Sequence, residues 1–356
     1  MNEHVTLSLS SRWAAMKQTT PMLRTRDAAA QLGVTEAELL ATGLGSTVTR
    51  LDTETSALLH GLEGVGRCMA LTRNEHAVSE VHGTYGGIEL GAHAGQVIGK
   101  GIDLHVFPAA WNYAFAVDEP HPQKGSGHGP EIEGTRRRSI HVFDRYGIAV
   151  HKVYLDGDGD EQAWDAVVAA RRADLPLVLE PAPANKPEKP DSDVDVATFT
   201  KSWDGMTDTH EFFHLMHAHK LTRTQALRLA GNQRAYRVDN LSFTKLLHDA
   251  SAQQDKIMIF VGNRGCLQVF SGAVHKIVKH GPWINVLDPS FNLHLREDHI
   301  ATSWVVAKPT RAGMVRSLEL FDAAGETIAL VFRKRDDREQ AEDESWIARL
   351  ATLEAV

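Results

Sequence analysis

The chain lacks most of what several protein classes require. It has two cysteines, Cys68 and Cys266, far apart and in no metal-like spacing, too few for a disulfide framework. No apolar run approaches the roughly 20 residues of a membrane span. Met1-Asn2-Glu3-His4 lacks the basic-then-apolar pattern of a secretory leader. Basic excess is missing too: 38 Lys and Arg stand against 46 Asp and Glu, a formal charge of −8. With no Lys/Arg-dense stripe interleaved with aromatics, nucleic acid is not an expected partner. A Gly-rich dinucleotide fingerprint is absent as well. What survives these exclusions is a soluble protein of a reducing cytoplasm, without a membrane span.

What is there is length, and an order that recurs. At 356 residues, 42% hydrophobic and 24% charged, the chain can build two core-bearing domains. Residues 26–32 read as a helix ending at Gly33, and Thr35-Glu36-Ala37-Glu38 opens another with a capping signal. From Cys68 onward strand-like segments follow: Cys68 to Leu71, His105 to Phe107, Tyr113 to Val117, Ile140 to Phe143 and Ala149 to Tyr154. The second half repeats this order. Thr207-Asp208 opens a helix, Thr222-Arg223-Thr224-Gln225 opens the next, which stops near Gly231, and strands resume after Lys256. Ile102-Asp103-Leu104-His105-Val106 matches Phe291-Asn292-Leu293-His294-Leu295 at an offset of 294 − 105 = 189. Ser139 through Asp144 matches Ser317 through Asp322 at 322 − 144 = 178. The difference of 11 points to an insertion in the first half, between Glu119 and Arg138. A Pro-rich segment from Glu180 reads as a linker. The expectation is an α+β tandem repeat, residues 1–179 and 199–356 joined by 180–198, each half packing helices on a large antiparallel sheet.

His210-Glu211-Phe212-Phe213-His214 spells H-E-x-x-H, the pattern that gives zinc hydrolases two imidazole ligands and a general base on one helix face. His217 and His219 follow it. At about 100° per residue His210, His214 and His217 share one face, and Phe212, Leu215 and Met216 lie largely opposite. Asp208 is placed to cap the helix, with Glu211 reaching back to its amide, so Glu211 has a structural task. Zinc needs a third ligand, and neither downstream extension of the pattern supplies it: Lys220 stands where one form needs histidine, and residues 222–236 hold no glutamate. A solvated polar face is the plain alternative. An axial haem ligand is the third, since one imidazole suffices to hold haem iron.

Trp203-Asp204-Gly205-Met206-Thr207-Asp208-Thr209-His210-Glu211-Phe212-Phe213 resembles the bacterial hemin-degrading or hemin transport family, cytoplasmic proteins of haem-iron utilisation. So do Leu71-Thr72-Arg73-Asn74-Glu75, Trp283 through Pro289, Phe291 through Arg296, and Trp304-Val305-Val306 before Lys308-Pro309-Thr310, covering nearly the whole chain in order. The resemblance implies a tandem α+β fold, haem b as substrate or cargo, an external electron donor and no zinc. An inner-membrane haem importer or a downstream oxygenase is the partner it implies. Carried over by position, the proximal iron ligand falls on His210, and Lys308 and Arg335 fall where basic groups meet the haem propionates. The family's distal arginine is replaced here by His105, ahead of Val106-Phe107, so Phe107 also borders the site. His105 is expected either to ligate iron opposite His210 or to hydrogen-bond an iron-bound water or oxygen, with an ordinary strand histidine as the plain alternative. Leu330 and Phe332 replace polar residues common near the haem. His76 is a candidate for a second, weaker haem site or an exposed loop histidine, and His214 and His217 for assisting haem transfer. The implied activity is reductive, oxygen-dependent haem degradation with release of iron. The alternative is a haem carrier that hands its cargo to a separate oxygenase.

Overall fold

A computed structural model describes residues 7–120, 136–183, 187–335 and 343–356. The chain divides into two compact units. Unit 1 is drawn from Met1–Thr72, Val81–Pro183 and Asn263–Cys266, and unit 2 from Arg73–Glu80, Ala184–Gly262 and Leu267–Val356. The two short pieces, 73–80 and 263–266, each contain the turn of a β-hairpin.

The first repeat contains helices α1 (Leu9–Thr19), α2 (Thr25–Leu32), α3 (Glu36–Ala41), α4 (Thr55–Glu63) and α5 (Glu161–Arg171). Its strands are β1 (Val48–Leu51), β2 (Arg67–Arg73), β3 (Ala77–Thr84), β4 (Ile88–Leu90), β5 (Gly95–Ile98), β6 (Asp103–Val106), β7 (Tyr113–Pro120), β8 (Arg136–Phe143) and β9 (Ala149–Leu155). The second repeat contains β10 (Ala235–Val238), β11 (Ile257–Gly262), β12 (Cys266–Gly272), β13 (Ile277–His280), β14 (Trp283–Asp288), β15 (Phe291–Arg296), β16 (Thr302–Thr310), β17 (Gly313–Phe321) and β18 (Thr327–Arg333). Its helices are α6 (Val196–Asp204), α7 (Glu211–His219), α8 (Arg223–Leu229), α9 (Ser242–Gln253) and α10 (Glu344–Ala351).

In the first repeat the large sheet runs β1-β7-β8-β9-β2-β3, and in the second β10-β16-β17-β18-β11-β12. Each repeat also contains a three-stranded antiparallel meander, β4-β5-β6 and β13-β14-β15. The expected α+β tandem fold is present, and the repeat is legible at single residues. The pairing of β8 with β9 slips between Val142 and Phe143, and that of β17 with β18 between Leu320 and Phe321, again 320 − 142 = 178 residues on. A bulge kept at the same step bends both strands alike. The expected insertion falls between β7 and β8, but residues 121–135 of that stretch lie outside the described residues.

Local chemistry explains the helix ends. Gly33 closes α2 at φ 69°, a left-handed conformation that glycine adopts without strain. Thr35 caps α3 through the Glu38 amide with Glu38 reaching back, and Thr222 caps α8 through the Gln225 amide. In unit 1 the core lies between α4 and α5 and the inward strand faces, around Leu58, Leu62, Ile140, Val142 and Trp164. In unit 2 Phe199, Trp203, Phe212 and Leu227 carry α6, α7 and α8 onto Val306 and Phe321 of the sheet. Fully burying one such side chain contributes about 1.5–3 kcal/mol.

Candidate functional site

Helix α7 begins after His210, two residues later than a cap at Asp208 implies. Asp208 accepts the His210 amide at 2.8 Å, and Glu211 reaches back to Thr207, to its amide at 3.0 Å and its hydroxyl at 2.9 Å. The capping reach of Glu211 is therefore real, but its partner is Thr207 and not Asp208. Tight turns from Asp208 to Glu211 and Thr209 to Phe212 lead into the helix, because both carboxylates bind amides that a regular first turn would leave to solvent.

The two faces of α7 divide as the periodicity predicts. Phe212 and Leu215 are buried and Met216 half-buried, while His210, His214 and His217 are exposed. Phe212 meets the Trp203 ring edge-on at 4.7 Å, and the Trp203 indole N–H donates to the Ala307 carbonyl at 3.0 Å. That contact ties α6 and α7 to β16. The imidazole of His210 is 68% exposed, with Nδ1 bonded to Asp208 Oδ1 at 2.6 Å. Phe213, also 68% exposed, stands on the same outward face, its ring edge-on to His214 at 5.9 Å.

Beneath α7 lies a charged cluster in which Lys308 alone was a candidate from the sequence. Glu319 on β17 is fully buried and accepts from Arg223 Nε at 2.7 Å, Arg223 Nη2 at 2.9 Å, Lys308 Nζ at 2.6 Å and the Ser317 hydroxyl at 3.0 Å. Burial opposes the charge, but Arg223 and Lys308 hold the carboxyl well below the usual range. Burial pushes the Lys308 ammonium down to about 8, against the pull of Glu319. Both cations also lie on Phe212, Lys308 Nζ at 4.6 Å and Arg223 at 5.0 Å from the ring centroid. Lys308, which the resemblance places at the haem propionates, is 3% exposed, with its ammonium on Glu319. The signal for Glu319 was available: a carboxylate at an inward position of an apolar strand must be paired.

The remaining candidates are placed as follows. Arg335 follows β18 in unit 2 and is half-buried, as are Leu330 and Phe332. The Phe332 ring lies 5.9 Å from Lys308 Nζ. In unit 1, His105 is a half-buried residue of β6 opposite Gln96, and the Phe107 amide donates to the Gly265 carbonyl at 3.0 Å. Its repeat counterpart His294 sits opposite Asn285 and bonds its side chain at 2.7 Å, so His105 occupies the register of a strand histidine. His76 is half-buried, with 20% of its side chain exposed. Its Nδ1 lies 2.8 Å from His299 Nδ1 and its Nε2 2.9 Å from Asp322, so both ring nitrogens are engaged. Among the described residues no three His, Cys, Asp or Glu side chains converge as metal ligands, and no helix is long and apolar enough to cross a membrane.

The family model described as a haemin-degrading HemS/ChuX domain matches this chain twice, over residues 33–170 and 220–353. The hemin transport protein HmuS of Yersinia pestis is 41% identical over 347 residues, covering 97% of each chain. The hemin transport protein HemS of Yersinia enterocolitica is 41% identical over 352 residues, again 97% of each. The crystal structure of holo-PhuS, a heme-binding protein from Pseudomonas aeruginosa, superposes with a TM-score of 0.91 at 39% identity, over 98% of this chain and 99% of that one. The Escherichia coli O157:H7 heme degrading enzyme ChuS gives 0.88 at 34% identity, over 97% and 98%.

Proposed function

The chain belongs to the haemin-degrading HemS/ChuX family, and from that premise we propose that it binds haem as its substrate on the outward face of α7 and degrades it in the cytoplasm, releasing iron. His210 is the axial ligand in this reading. The observation that carries it is the outward imidazole whose Nδ1 is held by Asp208 at 2.6 Å. A carboxylate on one ring nitrogen fixes the tautomer, raises the basicity of the ring and directs the other nitrogen, Nε2, to the metal. Phe213 on the same face offers an apolar surface to a porphyrin. Haem supplies the redox and oxygen chemistry and an external donor its electrons. The protein's part is to hold and orient the macrocycle. This reading needs no zinc, and in it Glu211 serves the helix start through Thr207.

The names of the relatives divide between transport, binding and degradation, so a second reading stands beside the first: a carrier that receives haem from an inner-membrane importer and passes it to a separate oxygenase. One experiment separates them. The haem complex is incubated with a reductant under air, with catalase present to remove free peroxide. Loss of the Soret band with release of iron supports degradation, and a stable spectrum supports the carrier. Haem titration of His210→Ala tests the ligand in either case. Affinity and ferric spectrum unchanged from the wild type would refute His210.

A further inference from the structure

The two hairpin turns that the units hold are built alike, and one departs from the other in a way that gives it a titratable lock. In unit 2, Asn74 Oδ1 accepts the amides of His76 and Ala77, and its Nδ2 donates to the Ile328 carbonyl at 2.8 Å. In unit 1, Asn263 Oδ1 accepts the amides of Gly265 and Cys266, and its Nδ2 donates to the Val150 carbonyl at 2.8 Å. The asparagines are 263 − 74 = 189 residues apart and the carbonyls 328 − 150 = 178, the two offsets of the repeat.

The next equivalent positions differ. Gly265 stands for His76, Ala110 for His299 and Asp144 for Asp322. In unit 1 the tip is packed tight: a Cβ on Gly265 would lie 2.5 Å from Val150 Cγ1 and 3.1 Å from the Ala110 Cβ. Asp144 and Asp322 do the same local work, each accepting two amides of its own turn through Oδ1. Asp322 does one thing more. Its Oδ2 takes His76 Nε2 at 2.9 Å, and His76 Nδ1 faces His299 Nδ1 at 2.8 Å with the rings edge-on. The His76 carbonyl also accepts the Arg296 amide at 2.9 Å.

We propose that His76, His299 and Asp322 form a protonation-controlled latch on the 73–80 tip, present in one repeat and replaced by glycine and alanine packing in the other. The hydrogen bonds set its logic. His76 donates from Nε2 to the Asp322 carboxylate, so in its neutral form Nδ1 is an acceptor and His299 donates to it. A first proton taken by His299 at Nε2 keeps that bond and makes it charge-assisted. A second proton, on His76 Nδ1, sets N–H against N–H at 2.8 Å, and the contact must open. The elements that meet there also carry Glu326 on the β17–β18 turn, Asp298 with its partner Arg296 on the turn after β15, and Arg73 and Glu75 on the tip.

Hydrogen exchange of the full chain tests this, with intrinsic exchange rates divided out. On acidification from about pH 7.5 to about pH 5, across the ordinary histidine range, protection of residues 73–80 and of the Arg296 amide falls at least tenfold, while that of 263–266 stays level. His299→Asn, which can still accept or donate but does not titrate, keeps the neutral-pH protection and removes the acid step. Equal behaviour of both tips, or an acid step that survives in His299→Asn, overturns the proposal. Side-chain NMR of the wild type gives an independent readout: the two rings titrate as a coupled pair in two steps, and two independent single-site curves would equally overturn it.

Discussion

Replacing Glu319 by glutamine removes one charge from the cluster beneath α7 and leaves its shape, which makes the cost calculable. Lys308 is the cation that suffers, because its side chain is 3% exposed, whereas that of Arg223 is 22% exposed and can turn to water. Lys308 already titrates at about 8 in the folded protein. At pH 7 it can therefore escape the lost partner by giving up its proton, at about 1.4 kcal/mol for one pKa unit. The lost charge-assisted bonds to Arg223 add about 1.5–3 kcal/mol. The sum, roughly 3–4 kcal/mol, falls within the ordinary cost of breaking a buried pair from one side. The sign with pH follows. Between pH 7 and the folded value of about 8 the wild type still holds the proton and the variant does not, so the variant gains stability with pH relative to the wild type. The deficit shrinks by about 1 kcal/mol over that window. Adding Lys308→Met to Glu319→Gln recovers about the same amount at pH 7. Native-state exchange of the β16 and β17 amides reads the opening free energy of this region directly. A deficit below about 1 kcal/mol at pH 7, or one that widens toward pH 8, would mean that Glu319 does not hold Lys308 charged.

Three further outcomes follow from the geometry. Asp208→Ala lowers haem affinity about 10- to 100-fold with the far-UV spectrum unchanged, and Soret titration equal to wild type would remove the orienting role of the carboxylate. Gly265→Ala drives a Cβ to 2.5 Å from Val150 and costs about 1–3 kcal/mol on a denaturant curve, so an unaffected midpoint would mean the tip has slack. His105→Ala leaves haem affinity and the ferric spin state unchanged if His105 is the strand histidine that its register beside Gln96 describes, and a changed spin state in its optical spectrum would put it at the iron.

Sequence reading recovered the elements whose signals are local and missed those that depend on the fold around them. The caps of α3 and α8 were legible because Thr35 with Glu38, and Thr222 with Gln225, meet their partners three residues away. The start of α7 was misplaced because two carboxylates compete there: Asp208 takes the His210 amide, Glu211 takes Thr207, and the regular helix waits until both are satisfied. β3 carried no alternation to read, since it is buried on both faces along most of its length. Lys308 carried no local sign of burial, since lysine is usually exposed. Its burial follows from Glu319, eleven residues later in sequence but bonded to it across neighbouring strands. No local pattern marks the assignment of 73–80 and 263–266 to their units, where Asn74 and Asn263 bind carbonyls 254 and 113 residues away.

Glu319 also explains why the two repeats are not interchangeable. Its counterpart is His141, at 319 − 141 = 178, and the counterpart of Arg223 is Glu36, at 223 − 36 = 187, by the same offset as the capping threonines Thr222 and Thr35. At these positions unit 1 reverses the sign on the helix. Glu36 on α3 receives the buried Lys152 of β9, where unit 2 has Arg223 on α8 and the uncharged Leu330 in the lysine's place. Burial first, then Lys152 and Arg137, hold His141 far below the ordinary histidine range, so it stays neutral, and its Nδ1 is buried without a hydrogen-bond partner. One salt bridge between helix and sheet is thus kept in each repeat while its polarity is inverted. In unit 2 two cations surround one carboxylate, and an aromatic ring, Phe212, lies across both of them. That ring is two residues beyond His210. The duplicated scaffold supplies the sheet and the capped helix, and the inverted charge supplies what seats α7 with its histidines facing outward.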